Sequence, residues 1–142
     1  MSKIKLGKQE IFHFIGIGGI GMSGLAQIMK TMGFKVQGSD INRNKNTDNC
    51  KKLGIKILTS QNKKNVGKAT IIVKSSAIKS NNVELIESKK KNIPIYDRIE
   101  ILANIIDLKK NIIVTGSHGK TTTTSLVAKI ISTAKLDPTI IN

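Results

Sequence analysis

The run Ile11-Phe12-His13-Phe14-Ile15-Gly16-Ile17-Gly18-Gly19-Ile20-Gly21-Met22-Ser23-Gly24-Leu25-Ala26 carries a strand, a glycine turn and the start of a helix in succession. Its first seven residues are apolar apart from His13 and stop in glycines, the pattern of a short strand buried on both faces. Residues 23–32 then carry Leu25, Ile28, Met29 and Met32 at helical spacing, with Gly33 to close the helix. Outward from this strand–loop–helix unit, strands are predicted at 34–38, 55–58 and 69–73, with a brief edge-like strand at 93–95. Helices are predicted at 48–53, ended by Gly54, at 83–90, and at 97–106, where Ile99, Leu102, Ala103 and Ile106 share a side. Strands alternating with helices imply a parallel sheet joined by right-handed crossovers, an α/β Rossmann-like domain.

The chain turns polar over residues 107–111, and a new unit begins. Ile112-Ile113-Val114-Thr115 reads as another buried strand, 116–119 as a loop, and the residues from Thr121 onward as a helix. Leu126, Val127, Ile130, Ile131 and Ala134 form its apolar stripe, and the chain closes on the apolar run Ile140-Ile141. The expected division is a domain at 1–108 and the opening strand–loop–helix of a second at 109–142.

The 142 residues are 39% apolar and 23% charged, enough for a packed core. Aromatic residues make up 3%, too few for a base-stacking surface. The formal charge of +15 raises nucleic-acid binding as a reading, yet every basic residue except Arg43 and Arg98 is a lysine and the lysines are scattered. A solvated basic surface is the expectation, with no nucleic-acid partner. No run of 18 apolar residues offers a membrane span, and Met1–Lys5 lacks the apolar core of a secretory leader, so a cytoplasmic protein away from membranes is expected. The lone Cys50 excludes an internal disulfide and reads as a half-exposed structural thiol. His13 reads as a packed strand residue.

Two glycine loops carry the chemistry. The first contains G-x-G-x-x-G after a strand and at the start of a helix. Glycines allow the tight turn, and the helix N-terminus brings its N–H groups to a pyrophosphate. Asp40, after the second strand, is placed to reach a ribose hydroxyl or, alternatively, to cap a turn. This loop fits NAD, FAD and UDP-linked ligands alike. The second is Gly116-Ser117-His118-Gly119-Lys120-Thr121-Thr122, a short G-x-x-G-K-T with Val114 where the longer phosphate loop has glycine. Its amides can wrap phosphate oxygens, Lys120 can neutralise the β- and γ-phosphates of ATP, and the Thr121 hydroxyl can hold Mg²⁺.

The second loop with its threonine run resembles the Mur ligase family, ATP-dependent amide-bond ligases of cell-wall precursor synthesis. The run 13–26, Gly38-Ser39-Asp40, Ser75-Ser76-Ala77-Ile78, Ile93-Pro94 with Arg98 and Glu100, and residues 116–123 extend the resemblance over residues 11–142. They are most similar to the members that join L-alanine to UDP-N-acetylmuramate in peptidoglycan synthesis. The resemblance implies that Gly18, Gly19, Ile20, Gly21 and Met22 hold the UDP pyrophosphate and that Asp40, Ser75 and Ser76 lie near the nucleoside. Ser75 and Ser76 also fit a plain strand-end turn. It implies an ATP site at Gly116, Ser117, His118, Gly119, Lys120, Thr121 and Thr122, with Lys120 catalytic and Mg²⁺ on Thr121. The substrate carboxylate would become an acyl phosphate that the amine of L-alanine attacks. The partners implied are UDP-N-acetylmuramate, L-alanine and the central and C-terminal domains of a longer ligase, this chain being an N-terminal portion. Ser117 stands where the family usually has threonine, and Tyr96-Asp97 precede Arg98 where basic or apolar residues are commoner. The other readings are a sibling ligase that attaches recycled tripeptide to the same sugar and a nicotinamide-dependent oxidoreductase.

Overall fold

A computed structural model describes residues 4, 6–108 and 110–140. The stretch read for a leader, apart from Ile4, and Ile141 of the closing apolar run lie outside the described residues. The chain divides into two compact units, Met1–Leu108 and Lys109–Asn142.

The first unit is a five-stranded parallel sheet. Its strands are β1 (Ile11–Ile15), β2 (Lys35–Ser39), β3 (Lys56–Leu58), β4 (Ile71–Lys74) and β5 (Ile95–Asp97), in the order β3-β2-β1-β4-β5. Helices α1 (Ile20–Thr31), α2 (Lys45–Lys52), α3 (Val83–Lys90) and α4 (Arg98–Asp107) make the crossovers. A 3₁₀ turn at Lys63–Val66, which the sequence pattern did not reveal, precedes β4 and buries Val66.

Strand periodicity divides the core into two layers. Phe12 and Phe14 of β1, Val36 of β2 and Ile71 and Val73 of β4 pack with Met22, Leu25 and Met29 of α1, Cys50 of α2 and Ile101 and Ile105 of α4. Phe12 and Phe34 meet edge to face, with ring centroids 5.6 Å apart. Ile15 and Ile72 face the other way, with Val66 and Leu85. Cys50 is fully buried rather than half-exposed, and burial pushes its thiol up to about 11.

The same alternation sends His13, Gln37 and Ser39 to the face that α3 covers. Register pairs His13 with Gln37 and Ile15 with Ser39. Glu84, in the first turn of α3, is buried among them. His13 Nε2 lies 2.8 Å from Glu84 Oε2, the Ser39 hydroxyl donates to the same oxygen at 2.6 Å, and Asn65 Nδ2 donates to Oε1 at 2.8 Å. Gln37 Nε2 donates to the Asn65 carbonyl at 3.1 Å and reaches His13 Nδ1 at 3.2 Å. A main-chain carbonyl only accepts, so the Gln37 NH₂ is the donor and Nδ1 the acceptor. The imidazole proton therefore sits on Nε2 and points at Glu84.

β1 ends two residues before the predicted Ile17. Gly16, at φ +80°, turns the chain, and Ile17 folds back into the core. It packs on Gly38, where an added Cβ would lie 2.6 Å from Ile17 Cδ1 and 2.8 Å from the Phe14 carbonyl oxygen.

The second unit holds α5 (Lys120–Thr133), but residues 112–115 form no strand. Ile112 and Ile113 are 66% and 72% exposed, and the apolar stripe is not buried either, with Leu126 and Ile130 mostly in solvent. A strand needs a neighbour for its N–H and C=O groups, and among the described residues of this unit there is none.

Candidate functional site

From β1 the chain winds outward through β2 and β3, then returns across β1 to β4 and β5. The reversal lies between β1 and β4, and in such sheets the crevice beyond the carboxyl ends of those strands receives ligands. Two segments meet there. A Cβ added at Gly16 would lie 3.1 Å from Ile78 and 3.5 Å from Ser75. Ser75 also forms the strand-end turn, its hydroxyl accepting the Ala77 N–H at 3.3 Å. Ser76 is exposed and makes no side-chain hydrogen bond among the described residues.

The Gly18 peptide is held from both ends. Its N–H donates to Asp40 Oδ2 at 2.8 Å, and its carbonyl accepts from Asn44 Nδ2 at 3.2 Å and Asn46 Nδ2 at 2.9 Å. The other Asp40 oxygen accepts the Asn42 N–H at 2.9 Å. Asp40 and the loop are thus joined through the loop's own amide. The Gly18 amide is thus engaged by Asp40, and Gly19 likewise donates to the Gly16 carbonyl at 3.3 Å. Asn44 and Asn46 were not singled out from sequence. Asn44 had a signal, since it caps α2 and accepts the Thr47 N–H at 3.0 Å.

Gly19 caps α1 with no side chain, so the amides of Ile20, Gly21 and Met22 have no acceptor among the described residues. These are the donors available to an anion, and no acidic side chain in the first turn competes for them. Met22 contributes only its amide, because its side chain is in the core. Ile20 is 84% exposed at this helix start.

Arg98 completes this end of the sheet. A Cβ on Gly21 would lie 3.0 Å from its guanidinium carbon, so the charge rests against the opening turn of α1. Asp97 is engaged elsewhere, paired with Lys74 across the ends of β4 and β5. The half-buried Arg98 has no ion-pair or hydrogen-bond partner among the described residues. A cation and a helix N-terminus facing each other repel unless an anion lies between them. Sequence placed Arg98 in a motif but gave it no role.

In the second unit, Gly116 and Gly119 adopt φ +152° and +75°, and Gly119 caps α5 without a side chain. The Lys120 ammonium donates to the Gly116 carbonyl at 2.7 Å, which keeps it on the loop. The helix amides of Lys120, Thr121 and Thr122 open toward solvent, and the Thr121 and Thr122 hydroxyls make no hydrogen bond among the described residues. Ser117 and His118 are exposed in the same loop. Left-handed glycines, unpaired amides, an ammonium and a free hydroxyl fit a triphosphate with its divalent ion. No cluster of three acidic, histidine or cysteine side chains among the described residues forms a separate metal site. No helix among them is long and apolar enough to cross a membrane.

Comparison with known proteins bears on both loops. Residues 11–110 match the Mur ligase family, catalytic domain. The UDP-N-acetylmuramate–L-alanine ligase of Pelagibacter ubique is 69% identical over 140 residues, covering 99% of this chain and 30% of that protein. The enzyme of the same name from Aquifex aeolicus is 55% identical over 130 residues, covering 92% and 29%. Among solved structures, the UDP-N-acetylmuramate-alanine ligase of Thermotoga maritima superposes with a TM-score of 0.78 at 33% identity, over 88% of this chain and 30% of that one. The UDP-N-acetylmuramate:L-alanyl-gamma-D-glutamyl-meso-diaminopimelate ligase of Neisseria meningitides gives 0.76 at 29% identity, over 88% and 40%. The chain spans about three tenths of the length of the curated relatives it matches.

Proposed function

The chain belongs to the Mur ligase family, and from that premise we propose that it is the nucleotide-gripping portion of an ATP-dependent ligase that joins L-alanine to UDP-N-acetylmuramate. Residues 1–108 are the UDP-binding domain and 109–142 open the ATP-binding domain. The remaining central and C-terminal domains are the partners that complete the enzyme, which works in the cytoplasm.

The observation that carries this reading is the second loop. Gly-Lys-Thr at an uncapped helix start, with the ammonium held on the loop, has a use in phosphoryl transfer and none in hydride transfer. The nicotinamide reading therefore leaves half of the chemistry unexplained. The tripeptide-joining sibling is less favoured, because identity is 69% and 55% with the alanine enzymes.

A carboxylate is a poor acyl donor at neutral pH, and phosphorylation supplies its leaving group. Lys120 and the α5 amides neutralise charge that builds on the γ-phosphoryl oxygens. Thr121 holds Mg²⁺, which when bound shares that neutralisation. In the first unit the amides of Ile20, Gly21 and Met22 take the UDP diphosphate against Arg98. Asp40, Ser75 and Ser76 border the nucleoside, Asp40 keeping unused lone pairs on both oxygens.

Thermal unfolding of the chain with UDP-N-acetylmuramate, with MgATP and with NADH tests the reading. The first two should raise the melting temperature and NADH should not. Arg98→Ala should weaken UDP-N-acetylmuramate binding about tenfold or more, the order for losing a charge-assisted hydrogen bond, and leave the MgATP effect unchanged. Stabilisation by NADH alone would overturn it.

A further inference from the structure

The buried polar cluster beneath the first loop takes part in none of the chemistry above. Five side chains from β1, β2, α3 and the segment before β4 are joined to one another by hydrogen bonds. Among the described residues, no buried side-chain polar atom is left unpaired. Apolar residues of similar size would fill that space without the demand for complete pairing, so such a cluster is stabilising only where its geometry is complete.

Its placement gives it a consequence. Ser39 is the last residue of β2, and its main-chain carbonyl accepts two loop amides, Gly16 at 2.8 Å and Ile17 at 3.1 Å. The next residue, Asp40, accepts the Gly18 amide. Three successive loop amides thus hang on the last residue of β2 and the one that follows it. The Ser39 side chain in turn donates to Glu84, whose carboxylate is fixed by His13 and Asn65. The Glu84 backbone is itself fixed, its N–H donating to Asn82 Oδ1 at 2.8 Å and its carbonyl accepting the Ser88 hydroxyl at 2.7 Å. The chain of contacts runs from the first turn of α3 through the end of β2 to the turn that leads into α1.

We propose that Ser39, Glu84 and His13 are positioning residues for the diphosphate seat, holding the end of β2 so that the loop at residues 16–18 keeps the α1 amides aligned on the anion. The proposal rests on the first loop being the UDP seat. Without the Ser39 hydroxyl, the β2 terminus rests on its neighbouring strands alone, and the loop gains freedom that binding must then remove.

The test uses the 142-residue chain, its Ser39→Ala and Glu84→Gln variants, calorimetric titration with UDP-N-acetylmuramate and amide hydrogen exchange by NMR. In Ser39→Ala the dissociation constant should rise about tenfold, the order of one lost hydrogen bond to a charged acceptor. Exchange at Gly16, Ile17 and Gly18 should quicken by at least the same factor, while the amides of Met29 and Val73 in the core keep their rates. Glu84→Gln should show the same selective pattern. If the wild-type chain does not bind, the UDP reading fails and the proposal falls with it. If the wild-type binds and Ser39→Ala binds within twofold of it, the proposal alone fails. It fails equally if loop and core amides quicken together, because the cluster then serves stability and not aim.

Discussion

Glu84 is a carboxylate taken wholly out of water. Burial alone would raise its pKa, but the hydrogen bonds from His13, Ser39 and Asn65 outweigh it and hold the group below its ordinary 4.5. The folded state therefore favours the charged carboxylate more than the unfolded chain does. That stabilisation is fully present above pH 4.5 and is lost as pH falls from there through the lower folded value. Acid titration followed by circular dichroism should show the wild-type chain losing stability more steeply below that point than Glu84→Gln, which has no proton to take up at this position. Parallel curves would remove Glu84 from the acid response. At the same scale, two residues read from sequence changed meaning. His13, read as packing, is packed and also bonded at both ring nitrogens, and Cys50 is buried. A sequence shows that His13 lies in a strand, but Glu84 is 71 residues away, and no local pattern joins them.

At the scale of elements, glycine and asparagine set the boundaries. Gly33 and Gly54, at φ +88° and +74°, end α1 and α2 in a conformation that a side chain resists. Both were legible, because a glycine after a periodic run is a stop signal with a steric cause. α2 starts three residues before the predicted Asp48, because Lys45–Asn46–Thr47 carries no apolar periodicity. What begins the helix is Asn44, whose side chain accepts the Thr47 N–H while the Thr47 hydroxyl accepts the Asn44 N–H at 3.0 Å. Asn44→Ala should lower stability to urea by about 1 kcal/mol, the usual cost of a lost cap. Asn46→Ala, which removes a bond to Gly18 but no cap, should cost less than half of that in the same titration. Equal losses would show that the clamp on Gly18, and not the cap, is what Asn44 provides.

At the scale of the whole molecule, the two units differ in how far their demands are met. The first has both sheet faces covered and its polar cluster paired. The second exposes Ile112, Ile113, Leu126 and Ile130, and its expected strand is unformed. Segments with few buried contacts open at low free energy. Limited trypsin digestion should therefore cut at Lys110, Lys120 and Lys129 well before any lysine of the sheet domain, leaving a resistant piece close to residues 1–108. Equal resistance throughout would show that residues 110–133 are as firmly packed as the first unit.

The layered α/β class, the central strand and the glycine turns after it were written in the sequence, because each depends on interactions between near neighbours. Periodicity, glycine conformations and helix starts are written over a few residues. It took the closed fold to show that the amides without an acceptor belong to Ile20, Gly21 and Met22, that Arg98 rests against the Gly21 turn, and that His13, Ser39 and Glu84 share a buried network. Those facts follow from which strands lie side by side and in what register, and the burial that enforces the pairing exists only once the sheet has closed over both layers.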